Sequence, residues 1–173
     1  PSEPVWQVVN VNDILEETLA LIEERLSLYQ IKVEKVLTPD LPLIDGDPDR
    51  LEQIFINLIT NARQAMEEGG ILKVTCRESK NGEWVEVIFA DTGEGIAKAH
   101  LNKIFDPFFT TRGPGKGMGL GHSLSHRHIR DHGGAIDVWS EKGRGTVFRV
   151  ALPPSGAKRC WEILACQEKE RCK

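Results

Sequence analysis

The pattern of apolar and polar positions divides the chain into short extended segments and longer helical ones. Segments that are β-branched or that alternate apolar with polar residues predict strands at residues 5–11, 31–37, 43–44, 71–77, 84–90, 135–140 and 146–152. Apolar residues at helical spacing predict helices at residues 14–26, 48–66, 97–104 and 120–132, the first of them capped by Asn12 or Asp13. We therefore expect an α+β fold, a two-layer sandwich in which a mixed, mostly antiparallel sheet of about five strands packs on three helices.

The second predicted helix carries two polar residues that need an explanation. Asp47 supplies an N-cap, and Pro48 occupies the first helical position. Asn57 and Asn61 lie one turn apart and therefore share a face. Asparagine is a poor residue for a helix interior, so the pair belongs either to a solvated polar surface or to a chemical site. In the second interpretation, Asn61 offers its amide oxygen to a hard cation such as Mg²⁺.

Glycine-rich sequence dominates residues 91–121. Asp91 stands where an apolar strand ends, and Gly93 and Gly95 allow the backbone after it to turn tightly and approach a ligand. Residues 113–121 then place five glycines around one lysine, immediately before a helical pattern. A glycine-rich loop that opens onto a helix N-terminus presents backbone N–H groups to phosphates.

Composition narrows the classes of function. The chain has 173 residues, 40% of them hydrophobic, which suffices for one globular domain with a core. A formal net charge of −4 argues against a nucleic-acid-binding module, which would carry a basic stripe. No apolar run is long enough to span a membrane, and four cysteines are too few for a disulfide scaffold. We therefore expect a domain of the reducing cytoplasm that makes no membrane contact.

Four motifs in this order resemble the ATP-binding catalytic domain of sensor histidine kinases, within the superfamily that also contains DNA gyrase B, Hsp90 and MutL. Residues 47–66 resemble the N box of that family, D-T-G-E-G-I its G1 box, F-D-P-F-F-T-T-R its F box and G-K-G-M-G-L-G its G2 box. The resemblance covers residues 5–153 and is closest to kinases of the nitrogen-regulator type. It implies the Bergerat ATP-binding fold, with ATP and Mg²⁺ as the bound groups.

The resemblance also implies roles for individual residues. Asn61 would hold Mg²⁺ against the phosphates, with Asn57 on the same face and Lys116 as a further catalytic residue. Asp91 would accept a hydrogen bond from the adenine amino group and so reject guanine, which carries an acceptor at that position. Thr146 would support Asp91 through its hydroxyl. The other implied nucleotide contacts are Gly93, Gly95, Ile96, Phe105, Arg112, Lys116, Gly117, Gly119, Leu120 and Gly121.

Two departures from the family pattern change the expected chemistry. Position 64 is glutamine where many members carry a phosphate-contacting lysine, so Arg63 or Lys116 would have to supply that charge. Asn57 stands where the hydrolysing relatives carry a glutamate base. Because an amide cannot accept a proton from water in that role, phosphoryl transfer is favoured over hydrolysis.

Histidines of the last predicted helix form two i,i+4 pairs, His122 with His126 and His128 with His132. This spacing can bind a metal, but no carboxylate or cysteine is placed to complete a site, so solvent-exposed or phosphate-facing histidines are favoured. None of the chain's histidines lies in the H-E motif that carries the phosphoacceptor in this family. We therefore expect the isolated chain to bind Mg-ATP without phosphorylating itself.

The resemblance implies an enzyme domain that passes the γ-phosphoryl group of ATP to a histidine on dimerisation helices of the same protein. From there the group would reach the aspartate of a response-regulator receiver domain. The alternative is an ATP-switched interaction module, in which a lid over residues 105–118 changes partner binding without transfer. A gyrase- or Hsp90-like ATPase is disfavoured by Asn57 and by the F box. The implied location is the cytoplasm, including the cytosolic portion of a membrane-anchored sensor.

The chain divides into an ATP-binding domain at residues 1–153 and a linker with a cysteine-containing tail at residues 154–173. Cys160, Cys166 and Cys172 resemble the C-W-E cysteine motif attached to some bacterial signalling proteins. Their spacing is not the C-x2-C of zinc ribbons. A metal or iron–sulfur site, a disordered, reduced tail and a truncated redox-sensing element are all open interpretations.

Overall fold

The computed structural model describes residues 4–110 and 119–156, which form a two-layer α+β sandwich, as predicted. The strands are β1 (Gln7–Val9), β2 (Ile31–Leu37), β3 (Ile44–Gly46), β4 (Gly70–Glu78), β5 (Val85–Asp91), β6 (Ala135–Glu141) and β7 (Gly145–Leu152). The helices are α1 (Val11–Leu28), α2 (Pro48–Ala65), α3 (Lys98–Leu101) and α4 (Gly121–Asp131).

The main sheet has five strands in the order β2-β4-β5-β7-β6. Strand β2 runs parallel to β4, and the other neighbours are antiparallel. Strands β1 and β3 form a separate two-stranded antiparallel ribbon. The sheet is therefore mixed and mostly antiparallel, in agreement with the sequence pattern.

The hydrophobic core lies between the three long helices and one face of the sheet. Helix α2 buries its apolar stripe completely, with Leu51, Ile54, Phe55, Leu58 and Ile59 at most 1% exposed. Strand β5 contributes Val85, Val87 and Phe89, which point to this face because strand side chains alternate. Each fully buried side chain of this size stabilises the fold by about 1.5–3 kcal/mol.

The opposite face of the sheet is charged. Glu86 is buried there between Arg77 and Arg149, at 3.0 and 2.9 Å respectively. Arg149 also contacts Asp137 at 2.6 Å and lies over the exposed ring of Trp139. These ion pairs satisfy the buried carboxylate of Glu86.

Three details differ from the predictions. The N-cap of α1 is Asn10, whose Oδ1 accepts the Asn12 N–H at 3.0 Å, so the predicted caps were wrong. Asn12 and Asp13 lie inside the first turn, and sequence alone does not rank three adjacent polar residues as caps. The first strand has three residues instead of seven, and α3 is a single turn instead of the predicted helix at residues 97–104.

Asp47 ties three parts of the fold together. It is the N-cap of α2, as predicted, because its Oδ1 accepts the Arg50 N–H at 3.2 Å. Its Oδ2 accepts the Val5 N–H at 3.0 Å, which attaches the N-terminal segment. Its own N–H donates to Nε2 of His132 at the end of α4, also at 3.0 Å.

The chain after β7 still contacts the domain. Pro154 forms an isolated bridge with Ile44, and the Ser155 N–H donates to the Leu43 carbonyl at 2.6 Å. Residues 154–156, assigned to a linker, therefore pack beside β3, and the domain boundary at 153 stays a prediction. Cys160, Cys166 and Cys172 lie outside the described residues.

Two negative observations complete the description. Cys76 is fully buried in β4, and burial raises the pKa of its thiol to about 12, so it is an inert core residue. Within residues 4–110 and 119–156, no helix is long and apolar enough to cross a lipid bilayer.

Candidate nucleotide-binding site

A cavity of about 620 Å³ opens between the sheet and the helices. Helix α2, the end of β5 with the segment after it, the start of α4, and the start of β7 with Lys142 in the turn before it contribute its walls. This volume is within the range of small-molecule and cofactor sites. The cavity brings together most of the residues that the motifs singled out.

One row of the sheet carries Asp91 and Thr146, two polar residues that line the cavity, with Ser140 next to them. Asp91 in β5 pairs with Thr146 in β7, which pairs with Ser140 in β6. Each continues the alternating series that points towards the helices, so all three side chains lie on the helix-facing side. Asp91 therefore occupies a core-facing position of β5. Its carboxylate lines the cavity between the sheet and the helices.

Asp91 is held in one orientation. Its Oδ1 accepts the N–H of Gly93 at 2.9 Å and the N–H of Thr146 at 3.2 Å. Both bonds end on Oδ1, so Oδ2 is the oxygen that can accept a ligand donor. Asp91 is only 8% exposed, and burial raises the pKa of its carboxyl, while the two N–H bonds act in the opposite direction.

Ser140 organises the wall beside Asp91. Its hydroxyl donates to the Gly145 carbonyl at 2.8 Å and accepts the Ile96 N–H at 2.7 Å. The Thr146 hydroxyl lies 3.0 Å from the same Ser140 oxygen. The prediction that this hydroxyl supports Asp91 was therefore wrong, because the contact to Asp91 comes from the Thr146 backbone N–H.

Close backbone packing fixes the loops around the carboxylate. Gly145 has φ +97°, and a Cβ atom there would lie 2.0 Å from the Asp91 carbonyl oxygen. Gly95, which lines the cavity, has φ +67°. Only glycine combines this conformation with so close an approach. Gly93 packs instead against Ala65 at the end of α2, where the Glu94 N–H donates to the Ala65 carbonyl at 2.9 Å.

The other end of the cavity is a chain of side-chain hydrogen bonds between α2 and α4. The Asn57 amide nitrogen donates to the Ser125 hydroxyl at 2.9 Å. The Asn61 amide nitrogen lies 3.4 Å from the Asn57 Oδ1 and 3.0 Å from Nε2 of His122. The His122 ring stacks on Phe148, with ring centroids 5.2 Å apart. The shared face predicted for the two asparagines is thus part of the cavity, and neither residue is exposed.

Helix α4 begins at this end of the cavity. Its N-cap residue, Leu120, is apolar and cannot accept the N–H groups of the first turn, which are suited to anions. A Cβ atom on Gly121 would lie 2.2 Å from Oδ1 of Asn57, so glycine is required for the two helices to approach here. The donor set fits Mg²⁺ bound together with phosphates, because Asn61 supplies a neutral amide oxygen and phosphates supply the charge.

Most predicted contacts lie at the cavity, and some do not. Asn57, Asn61, Asp91, Gly95, Ile96, Gly119, Leu120, Gly121 and Thr146 line it. Phe105 is not in the wall. Its ring packs on His126 at 5.1 Å, and Phe109 lines the cavity in its place. Arg112, Lys116 and Gly117 lie outside the described residues, as does most of the predicted lid.

Sequence reasoning missed several residues of the wall. His100 and Phe148 line the cavity but gave no local signal, because their positions depend on strand register and on the packing of residues 100–110. Ser140 supports the wall from behind through its hydrogen bonds to Ile96 and Gly145. Gln64 also lines the cavity, at the position where the family usually carries lysine.

The helix α4 histidines have different surroundings. His132 is 1% exposed, its Nδ1 donates to the His128 carbonyl at 2.6 Å, and its Nε2 accepts the Asp47 N–H. Burial lowers the pKa of His132, and of His126 and His128 as well. His132 is thus a neutral core residue, neither solvent-exposed nor phosphate-facing. Among the residues the structure describes, no group of three His, Cys, Asp or Glu side chains could hold a metal ion.

The fold and the cavity together are those of an ATP-binding domain. A mostly antiparallel sheet lies under three helices, and a buried aspartate and two helix asparagines line one cavity. Residues 46–156 match the family described as histidine kinase-, DNA gyrase B- and HSP90-like ATPase, and the chain belongs to that family. The resemblance drawn from the motifs is confirmed.

A sensor histidine kinase and a sporulation kinase are among the relatives of this chain. The chain is 37% identical to sensor histidine kinase ZraS of Escherichia coli K12 over 153 residues, which cover 88% of this chain and 32% of ZraS. It is 33% identical to sporulation kinase E of Bacillus subtilis, over 88% of this chain and 20% of that kinase. The chain thus spans about a third or less of the length of these relatives.

Solved structures agree. The catalytic domain of histidine kinase ThkA superposes with a TM-score of 0.76 at 32% identity, covering 87% of this chain and 98% of that chain. ThkA in complex with the response regulator TrrA gives a TM-score of 0.73 at 29% identity, covering 89% of this chain and 43% of that chain. These comparisons confirm the prediction of a histidine kinase-type catalytic domain and do not favour the ATP-switched module.

Proposed function

We propose that this chain binds Mg-ATP in the cavity and donates the γ-phosphoryl group to a histidine on the dimerisation helices of a sensor kinase. The observation that carries the proposal is the fixed orientation of Asp91. Two backbone N–H groups donate to Oδ1, so Oδ2 is the oxygen that can accept a hydrogen bond from a ligand in the cavity. An adenine amino group is a matching donor, whereas guanine would present a carbonyl oxygen to the carboxylate.

The phosphates of ATP would lie at the opposite end of the cavity, beside the α4 N-terminus and the face of α2 that carries Asn57 and Asn61. Backbone N–H groups of the first turn of α4 would contact phosphate oxygens, and the Asn61 amide oxygen would hold Mg²⁺. Bound Mg²⁺ supplies charge neutralisation at the phosphates. Arg112, Lys116 and Gly117 remain proposed phosphate contacts on the strength of the motifs alone.

Transfer is favoured over hydrolysis by the side chains available. The bond between the β,γ-bridging oxygen and the γ-phosphorus breaks, ADP leaves, and a bond forms from that phosphorus to an acceptor imidazole nitrogen. Asn57 donates its amide to Ser125 and has no basic atom with which to activate water. The domain therefore positions and polarises ATP, which is most of what phosphoryl transfer requires from a protein.

Two partners and a location complete the proposal. The first partner is the set of phosphoacceptor helices of the full-length protein, and the second is a response-regulator receiver domain. ThkA has been solved in complex with a response regulator, which supports a similar partner here. Because ATP is the donor, the domain acts on the cytoplasmic side.

A phosphotransfer assay tests the proposal. Radiolabelled γ-phosphate is followed in the isolated chain and in a form extended N-terminally through its phosphoacceptor helices, each beside Asn61→Ala. We expect acid-labile label on the extended form only, with loss in the variant. Label on the isolated chain, or phosphate release without transfer in the extended form, would contradict the proposed function.

A further inference from the structure

We propose that His122 is a positioning residue that sets the orientation of the Asn61 side-chain amide and thereby presents the amide oxygen to the magnesium ion of Mg-ATP. The inference rests on the proposed function of the cavity. It concerns a residue that follows the G2 box directly and to which the four motifs assign no role. What carries it is the chain of hydrogen bonds that joins α2 to α4.

The direction of this series of hydrogen bonds follows from the donors and acceptors in it. The Asn57 nitrogen donates to Ser125 at 2.9 Å, which turns the Asn57 oxygen towards Asn61. The Asn61 nitrogen then donates to that oxygen at 3.4 Å and to Nε2 of His122 at 3.0 Å. A primary amide has two N–H hydrogens, and these two acceptors use both of them. The group that Asn61 can present to a cation is therefore its oxygen.

The shorter of the two Asn61 contacts is the one to His122. A distance of 3.4 Å to Asn57 is long for a hydrogen bond between nitrogen and oxygen, whereas 3.0 Å is near the usual value. His122 is itself held by its stack on Phe148 and by the edge of the Phe105 ring, with centroids 6.3 Å apart. The position of the imidazole is thus fixed, and in the proposed arrangement its Nε2 is the acceptor to which the amide adjusts.

The opposite orientation of this chain has the opposite consequence. If His122 carried its proton on Nε2, it would donate to the Asn61 oxygen, and the amide would offer its nitrogen in place of the oxygen. An amide nitrogen does not ligate Mg²⁺, which takes oxygen ligands. The orientation of the Asn61 amide can therefore be tested in two ways, by the tautomer of His122 and by the magnesium dependence of nucleotide binding.

Calorimetric titration of a non-hydrolysable ATP analogue, with Mg²⁺ and with a chelator, tests the role in four forms of the chain. His122→Leu keeps apolar packing on Phe148 but removes the acceptor, while His122→Gln can restore an acceptor oxygen near the Nε2 position. His126→Leu is the matched control, since His126 also packs on Phe105 but does not contact Asn61. Thermal melts establish that each variant is folded.

We expect His122→Leu to weaken Mg-nucleotide binding about 3- to 10-fold, the factor that one hydrogen bond contributes, and to leave binding in chelator within about twofold. His122→Gln should recover most of the loss, and His126→Leu should show none. Equal losses with and without Mg²⁺, or a glutamine variant as weak as leucine, would overturn the positioning role alone. Absence of nucleotide binding by the wild-type chain would overturn the proposed function and this inference together.

Nitrogen-15 NMR of the imidazole gives an independent test that needs no ligand. In the nucleotide-free wild-type chain, Nε2 of His122 should have the chemical shift of an unprotonated, hydrogen-bonded nitrogen, with the proton on Nδ1. A proton on Nε2 at neutral pH would reverse the direction of the Asn61 bond and contradict the proposal even if His122→Leu weakened binding.

Discussion

The two ends of the cavity are built by different means. At the base end, Asp91 is held by backbone N–H groups of neighbouring strands and turns. At the phosphate end, Asn57 and Asn61 are held by side chains that reach between two helices. The first arrangement depends on strand register, and the second depends on the distance between α2 and α4.

This difference separates recognition from chemistry. Strand pairing cannot shift by a fraction of a residue, so the acceptor that we propose for the adenine base has a fixed position. Side-chain hydrogen bonds can exchange partners, so the phosphate end can reorganise when Mg²⁺ and phosphates enter. We expect substitutions at the base end to cost affinity for every adenine nucleotide, and substitutions at the phosphate end to cost only the contribution of Mg²⁺.

The largest effect should come from Gly145→Ala, which attacks the backbone of the base end. The new Cβ atom would lie 2.0 Å from the Asp91 carbonyl oxygen, in a residue with φ +97°. Overpacking and the left-handed backbone together should lower the free energy of unfolding by about 3 kcal/mol or more. Chemical denaturation measures this value.

Gly143→Ala is the matched control for that substitution. Gly143 has φ +82° in the same turn, but its Cβ would meet nothing within 4 Å. It should therefore lose only the conformational part, about 1–2 kcal/mol. Equal losses at the two positions would show that contact with Asp91 is unimportant.

Asp91→Asn tests the acceptor at the base end. The amide oxygen can still accept the Gly93 and Thr146 N–H groups, which directs the amide nitrogen at the adenine amino group, donor against donor. ATP affinity should fall about 30- to 150-fold, equivalent to about 2–3 kcal/mol, with or without Mg²⁺. Calorimetry measures the affinity.

The same variant should not be less stable than wild type. Burial raises the pKa of the Asp91 carboxyl, so the charged form is disfavoured in the fold, and a neutral amide removes that cost. An unchanged or higher melting temperature is expected. Retained ATP affinity, or a large loss of stability, would mean that the carboxylate acts as a structural group instead.

Asn61→Ala tests the phosphate end. We expect Mg-ATP binding to weaken about tenfold, or about 1.4 kcal/mol, while nucleotide binding in chelator stays within about twofold of wild type. Titrations at several Mg²⁺ concentrations measure the difference. An equal loss in chelator would mean that Asn61 contacts the nucleotide directly, and the contrast between the two ends would not hold.

The smallest expected effect is a pH dependence of the free energy of unfolding, which arises from His132 at the contact between α4 and the start of α2. His132 is neutral in the fold because its Nε2 accepts the Asp47 N–H, and burial lowers its pKa below the ordinary value of about 6.5. The unfolded chain therefore binds the proton first. The His132 contribution is complete above pH 6.5 and declines as pH falls from there towards the lowered pKa, by at most about 1.4 kcal/mol per pH unit.

Denaturation between pH 8 and pH 5 measures that dependence. His132→Gln should be less stable at pH 8 and show a shallower decline, with the remainder due to His126 and His128, whose pKa values are also lowered. An unchanged slope in the variant would exclude His132 as the source.

Much of this molecule could be predicted from its sequence because its patterns are local. The apolar stripe of α2 predicted its buried face, and the apolar run of β5 predicted a strand that ends at Asp91. Asp91, together with Asn57 and Asn61 at i,i+4, identified both ends of the cavity. The role of Asp47 as the N-cap of α2 could be predicted because a capping residue stands directly before a proline.

What could not be predicted depends on contacts between distant segments. Ser140 is a polar residue in a half-buried strand, and only the pairing of β6 with β7 places it against Ile96 and Thr146. The role of Thr146 was misassigned for the same reason, since register decides whether its backbone or its hydroxyl faces Asp91. His122 contacts Asn61 only because α4 packs on α2.

The central claim is that a fixed carboxylate makes this cavity an adenine-nucleotide site. The most direct test is calorimetric titration of ATP and GTP, each with Mg²⁺, into the wild-type chain. We predict saturable binding of one ATP per chain and at least about 30-fold weaker binding of GTP. Equal affinity for the two nucleotides, or no binding of either, would contradict the account.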